Sequence, residues 1–350
     1  MEVLFQTLWG IIGRESNSYC TCVTLLPGTG NRHTGIQNVI DSVAAITPDA
    51  NGHRGAILLR AGAYQVSNTL SINTNGIVIR GEGNDDGGTK IIFTATTQRN
   101  LFNIYGNTRA TKTGSERQVT DSYVPVGKKQ LNIENGNGFI GGERVILTII
   151  HSPGWNVLLG INDLSNYCDS DPTKHSNWEV GKEFNYLRKI TNVDGNLITL
   201  DAPLVDPIGG LVGDSDYLFR TTIATLTEYT WNNKLEEVGI ENIRLDSDYA
   251  NDTDEDHGWI ALDFKHIENA WVSDVKAYYF GYSNVRVYDG SYQITVQNSG
   301  MYNYKSKDRS ARRCGFKGVG VIFYFLGSII FSFTPILMNA AMALSRCSIL

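Results

Sequence analysis

VGIENIRLDS (238–247), ENAWVSDVKA (268–277) and SYQITVQNS (291–299) can be laid over one another. Superposing Ile240, Val272 and Val296 gives intervals of 32 and 24 residues. The longer interval contains the polar loop Asp248–His257, which accounts for the difference. Between these runs lie WIALDF (259–264) and SNVRVYD (283–289), themselves 24 residues apart. Each run is short, rich in β-branched and aromatic residues, and bounded by Gly, Asn or Asp, as strands are. A repeat near 24 residues with two strand-like runs per unit reads as a coil of β-strands. In such a coil each turn buries its inward residues against the turns above and below, so Ile240, Val272 and Val296 are expected in one hydrophobic column. Asn242, Asp274 and Asn298 fall at equivalent places. Short polar side chains suit a bend, where they bond neighbouring backbone groups.

Upstream, AILLRAGAYQV (56–66), TLSIN (69–73), GIVIRGEG (76–83) and TKIIFTA (89–95) read as further short strands. Before them, HTGIQNVIDSVAAI (33–46) places Ile36, Val39, Ile40 and Val43 at i, i+3, i+4 and i+7, one apolar face of a short helix. Residues 107–230 break the period. VPVGKKQLNIENGNGFIGGERVILTI (124–149) and YLRKITNVDGNLITLDAPL (186–204) read as meandering antiparallel strands, with Asp194-Gly195 as a hairpin turn and GFIGGERVIL as a piece of small β-barrel. The expected organisation is a cap helix and first turns over 28–106, an inserted antiparallel β subdomain over 107–230, and continued turns over 231–304.

The whole chain has 350 residues, 41% hydrophobic and 19% charged, which excludes wholesale disorder. Thirty-six Gly and thirty Asn beside 8 Pro fit many turns between many strands. A net charge of −6 argues against a partner bound through nucleic-acid phosphates. The five cysteines form no C-x-x-C pair, so a structural zinc site is not expected. Residues 1–27 carry no basic residue ahead of their first apolar run, a poor secretory signal. Residues 305–350 are a basic run (Lys305, Lys307, Arg309, Arg312, Arg313) followed by an uncharged apolar tail over 318–345. That tail reads as a membrane segment, which would keep the preceding domain cytoplasmic, as a buried apolar helix, or as sequence from a shifted reading frame.

The stretch ILLRAGAYQVSNTLSINTNGIVIRGEG (57–83) resembles the opening turns of the pectate-lyase superfamily, through Gly62, Tyr64, Val66, Leu70, Ile72, Ile77, Ile79, Gly81 and Gly83. The resemblance covers about 36–106 and 235–304, and implies an all-β chain built as a right-handed parallel β-helix with a short N-terminal capping helix. In that family the helix is usually introduced by an acidic pair, where this chain has GTGNRHTGIQ (28–37). The superfamily includes lyases, hydrolases, phage tailspikes and non-catalytic matrix proteins, so the resemblance bears on fold more than on function. Neither the N-T-D, D-D, G-H-G and R-I-K set of the polygalacturonase-like hydrolases nor the R-x-P-x-x-R of the pectate lyases is present.

The densest polar cluster is DSDYANDTDEDHGW (246–259), which also contains the glycosylation sequon Asn251-Asp252-Thr253. Asp252, Asp254 and Asp256 are candidate ligands of Ca2+, a cation that takes six to eight oxygens. Asp263 and Lys265 fall on one face of their strand, from which they could meet His257 or the acidic loop. A lyase acting on a uronate polysaccharide needs a cation beside the carboxylate and a base, and Asp254, Asp256, His257, Lys265 and His266 supply those types. A glycosidase needs two carboxylates, for which Asp254, Asp256 and Asp263 are candidates. Trp259, Tyr282, Arg286 and Tyr288 are candidates for substrate binding, since aromatic rings stack on sugar faces. The expected function is binding or cleavage of a polysaccharide, an acidic one included, outside the cell. The alternative is a non-catalytic extracellular or shell-type matrix protein with an acidic, Ca2+-binding face.

Overall fold

Each coil of the chain contributes to two parallel sheets. A computed structural model describes residues 21–152, 181, 183–209, 211–212, 219–220, 222–288, 290–307, 314–318 and 323–326. Gly55–Leu59 and Gly62–Val66 run in the first sheet, Leu70–Ile72 in the second, and Ile77–Gly83 returns to the first, in parallel register on Gly55–Leu59. Thr89–Phe93 and Arg99–Tyr105 complete the next coil. After the interval that follows Tyr105, Gly239–Ser247 and Gly258–Lys265 make a third coil, and Ile267–Tyr278 and Ser283–Val287 a fourth. Tyr292–Gln297, Gly300–Tyr302 and Cys314–Gly318 make a fifth. This is the expected parallel β-helix.

Its core is a set of vertical columns. In the first sheet Ile57 lies opposite Ile79, Ile79 opposite Ile240, Ile240 opposite Val272, and Val272 opposite Val296. All five are buried, so the column expected from the repeat exists and extends two coils further. In the second sheet Leu70, Phe102, Leu262, Val285 and Phe316 are successive partners. Burying such side chains contributes about 1.5–3 kcal/mol each, which makes these columns the main source of stability.

The bends work as the Asn-rich pattern implied. Asn242, Asp274 and Asn298 have φ of 52°, 56° and 47°, and the flanking registers bring them level with one another. Asn and Asp tolerate this left-handed conformation better than other side chains do. The Asn242 side-chain amide also donates to the Gly81 carbonyl at 3.3 Å. The Asn242 carbonyl in turn comes so close to Gly81 that a Cβ there would lie 2.4 Å from it.

Helix His33–Ala44 closes one end of the core with Ile36, Ile40 and Val43. It stops two residues short of the expected end, leaving Ile46 exposed. Residues between 111 and 230 form a seven-stranded antiparallel sheet, ordered Gln130–Asn132, Leu197–Leu200, Glu183–Asp194, Arg144–His151, Thr222–Thr230 and Thr111–Lys112, with Arg117–Gln118 also on Thr222–Thr230. Asp194 pairs with Leu197 around Gly195, at φ 58°, so the expected hairpin turn is present. GFIGGERVIL is not a barrel piece: it leads into Arg144–His151, a strand paired on both edges within this sheet. The sheet has its own core, including Leu131, Val145, Leu147, Ile190, Ile198 and Leu226.

The antiparallel sheet is joined to the coil by charge and by ring packing. Arg144 donates twice to Glu268, at 2.8 Å each, and Lys234 donates to it at 2.7 Å. Tyr292 bonds Asp201 and packs with Ile146, Leu187, Tyr229 and Trp231. Of the apolar tail, Gly318 and Phe323–Leu326 are described, and both lie in strands. Phe323–Leu326 pairs in parallel with Tyr292–Gln297, so this part continues the coil instead of forming a helix. The remainder of the tail and residues 1–20 lie outside the described residues. Among the described residues no helix is long and apolar enough to cross a membrane.

Candidate functional site

Side chains alternate across a strand, so in-register coils stack their outward residues as regularly as their inward ones. On the second sheet, Leu262 and Phe264 point into the core and Asp263 and Lys265 lie on the opposite face, as expected from their spacing. Ser71, Asn103, Asp263 and Arg286 are successive partners up this face, and Tyr105 pairs with Lys265.

Asp263 is fully covered by its neighbours. Arg286 grips it in a forked ion pair, Nε to Oδ1 at 2.7 Å and Nη2 to Oδ2 at 2.6 Å. Asn100 donates to Oδ2 at 2.9 Å, and the Tyr105 hydroxyl donates to the same oxygen. Burial, reinforced by the bond to Asp263 and its charge, pushes the Tyr105 hydroxyl up to about 12. Burial works against the charge of Arg286, but Asp263 more than offsets this and holds it above its ordinary range. With both oxygens taken, Asp263 fixes the guanidinium of Arg286 rather than facing a ligand itself. Arg286 lies 4.8 Å from the ring centre of Tyr288, which is 40% exposed, and the Lys265 ammonium lies 5.9 Å from the same centre. Lys265, Arg286 and Tyr288 thus gather into one outward patch over two adjacent coils.

His266 sits at the turn that leaves this face, with φ 51°. Its ring lies against Gly290, where a Cβ would come within 3.1 Å of Cδ2. Burial, with the charge of Lys265, lowers its pKa, so the ring is neutral at neutral pH beside the patch.

The other expected site residues are placed elsewhere. His257 does not meet Asp263 or Lys265. Its ring is buried, 3.0 Å from the Ser247 hydroxyl through Nδ1 and 2.7 Å from the Lys305 carbonyl through Nε2. Both nitrogens therefore serve to hold the loop against the next turns. Trp259 and Tyr282 stack on each other at 5.9 Å at the beginnings of their strands. The Trp259 ring covers Gly281 so closely that a Cβ there would lie 2.4 Å from it.

Asp252, Asp254 and Asp256 do not converge on one point as the expected Ca2+ site requires. Asp252 pairs with Lys305 at 2.7 Å. Asp254 accepts from the backbone of Ala250 and Asp256, at 2.8 and 2.9 Å. Slight burial of Asp254 acts to raise its pKa, and these backbone donors outweigh it to give a lowered value. Asp256 is exposed. Among the described residues no three His, Cys, Asp or Glu side chains are grouped to hold a metal ion.

Sequence reasoning missed Asn100 and Tyr105, which complete the setting of Asp263. Strand Arg99–Tyr105 carries the same alternation as Gly258–Lys265, but the two contacts span 163 and 158 residues, beyond any local spacing.

No family model matches the sequence, and no curated protein matches it. Among solved structures, the Gp54 tailspike of Acinetobacter baumannii bacteriophage AP22, in complex with A. baumannii capsular saccharide, is similar at 10% identity and a TM-score of 0.33, over 84% of this chain and 44% of that one. The Pseudomonas phage phi297 tailspike gp61 is similar at 14% identity and a TM-score of 0.30, over 84% of this chain and 43% of that one. The A-module of the Azotobacter vinelandii mannuronan C-5 epimerase AlgE4 is similar at 12% identity and a TM-score of 0.27, over 88% and 69%. The chain spans less than half the length of those two tailspikes. Parallel register, left-handed Asn bends and a capping helix give this chain the β-helix fold that its resemblance to the pectate-lyase superfamily implies.

Proposed function

We propose that the protein binds an acidic linear polysaccharide on the outer face of its second sheet. The observation that carries this reading is the patch of Lys265, Arg286 and Tyr288, two cations beside one exposed ring on adjacent coils. A sugar carboxylate suits the two cations through charge-assisted hydrogen bonds, and the C–H face of the same sugar suits the ring. The rigid stack of coils offers a straight track to a polymer. The reading places the protein outside the cell, where such polymers are met. It also favours binding over the matrix alternative, because the acidic loop is occupied by its own Lys305 and backbone contacts. Should the polymer also be cleaved, His266 is the base in reach of the patch, since its ring is held neutral.

The test is titration calorimetry with uronate and neutral oligosaccharides on the full chain. Uronate oligosaccharides are expected to bind, and Lys265→Gln and Tyr288→Ala each to weaken them about tenfold, or roughly 1.4 kcal/mol. Equal uronate affinity in wild type and both variants would remove the patch from the reading. Unsaturated product on the same panel, lost in His266→Gln, is the result expected of a lyase.

A further inference from the structure

We infer a second saccharide site on the first sheet, built for a neutral, hydroxyl-rich sugar and separate from the Lys265–Arg286 face. Four tyrosines form an unbroken strip there. Tyr249 lies 5.1 Å from Tyr279, Tyr279 lies 5.8 Å from Tyr278, and Tyr278 stacks on Tyr302 at 5.0 Å and 23°. Tyr278 and Tyr302 are register partners in adjacent coils, and Tyr249 comes from the loop after the coil before them. The strip therefore crosses three coils, as a track for successive rings does.

The polar rim points to an uncharged ligand. Arg244 covers the Tyr278 ring at 4.1 Å and is held by Asp246 at 2.7 and 3.0 Å and by Asp86 at 2.5 Å. Lys90 lies 3.9 Å from Asp86. Lys305 lies 4.8 Å from the Tyr249 ring centre and pairs with Asp252 at 2.7 Å. Three cations thus meet three carboxylates, and the rim offers donors and acceptors with no net charge. Hydroxyls around a sugar ring use both, while its C–H faces stack on aromatic rings.

Backbone strain supplies an independent observation. Tyr279 has φ 69°, a conformation in which a bulky side chain is a true outlier. One coil later the residue following Tyr302 is Asn303, at φ 49°, and the Tyr279 amide donates to the Tyr302 carbonyl between these two turns. Asn suits such a turn at little cost, so a tyrosine in that place is retained against the backbone's preference. Strain of this kind gathers at ligand-contacting positions.

The experiment titrates wild type, Tyr279→Asn, Tyr249→Ala and Lys265→Gln with neutral hexose oligosaccharides and, separately, with uronate oligosaccharides. Tyr279→Asn suits the turn and keeps the fold, which an unchanged or raised Tm verifies. Binding of a neutral oligosaccharide to wild type, weakened about tenfold in Tyr279→Asn and Tyr249→Ala but not in Lys265→Gln, is the expected result. Neutral sugars that bind neither wild type nor the variants, or bind all four equally, overturn the second site. So does light scattering that shows a self-associated wild type parted by Tyr279→Asn, since a second copy would then cover the strip. The uronate arm reads the first patch separately, so failure of one site is distinguishable from failure of the other.

Discussion

Asn242 meets two demands of one bend: it accepts a left-handed backbone and returns a hydrogen bond to Gly81 in the coil below. Replacing it with valine removes the bond and puts a β-branched side chain at φ 52°, for an expected loss of about 1–2 kcal/mol, whereas Asn242→Gly changes stability by a few tenths. Urea unfolding of the two variants measures the difference. Asp263 and Arg286 set a larger stake, because Asp263 is fully covered. Arg286→Met leaves that carboxylate without its cation, and roughly 3 kcal/mol is expected to be lost, as when one partner of a buried pair is removed. Tyr105 adds a pH dependence of definite sign. Its hydroxyl titrates near 12 in the fold and near 10 in the unfolded chain, so its contribution is complete below the lower value. That contribution disappears as pH rises through the upper one. An alkaline melting series on wild type and Tyr105→Phe should show a shallower loss in the variant.

Strand Ile267–Tyr278 shows how one element serves two layers. Ala270, Val272, Val275 and Ala277 point into the coil, while Glu268, at its start, receives Arg144 and Lys234 from outside. Burial alone would raise the pKa of Glu268, but the two cations outweigh it and the value falls below the ordinary carboxylate range. A group lowered in this way adds stability above its unfolded value of about 4.3, and that stability is lost as pH drops through the folded value. Glu268→Gln should lower the melting temperature at pH 7 and flatten the acid limb of the Tm profile. At this scale the sequence was readable where inward residues recur at a nearly constant interval, as Ile240, Val272 and Val296 do. It was unreadable where partners are far apart: nothing near Phe102 announces Leu262, although the two are neighbours in the second sheet.

Across the whole molecule, the readable part of the candidate site was the part fixed by alternation within one strand, Asp263 with Lys265. His257 looked reactive because it stands among carboxylates in the chain, yet its ring turns inward to Ser247 and Lys305, which local sequence does not reveal. The same long-range logic governs how the antiparallel sheet relates to the coil. Its two ends meet, since the Thr108 hydroxyl donates to the Asn232 carbonyl at 2.8 Å and the Trp231 indole donates to the Thr108 carbonyl at 3.2 Å. The coils on either side are already stacked, with Leu235 paired to Ile267 and Phe102 paired to Leu262. Joining Arg109 to Thr230 through a short Gly-Ser link therefore needs no rearrangement of the coil columns. The cost falls on Glu268 and Tyr292, which lose Arg144 and Asp201. The shortened chain is expected to keep its β-sheet circular dichroism and a single cooperative melt, at a Tm lower than that of the full chain. Adding Glu268→Gln to it should cost less than the same change in the full chain, because its principal partner is already gone. A shortened chain that is unfolded, or one in which Glu268→Gln costs as much as before, would show that the antiparallel sheet is needed for the coil to close.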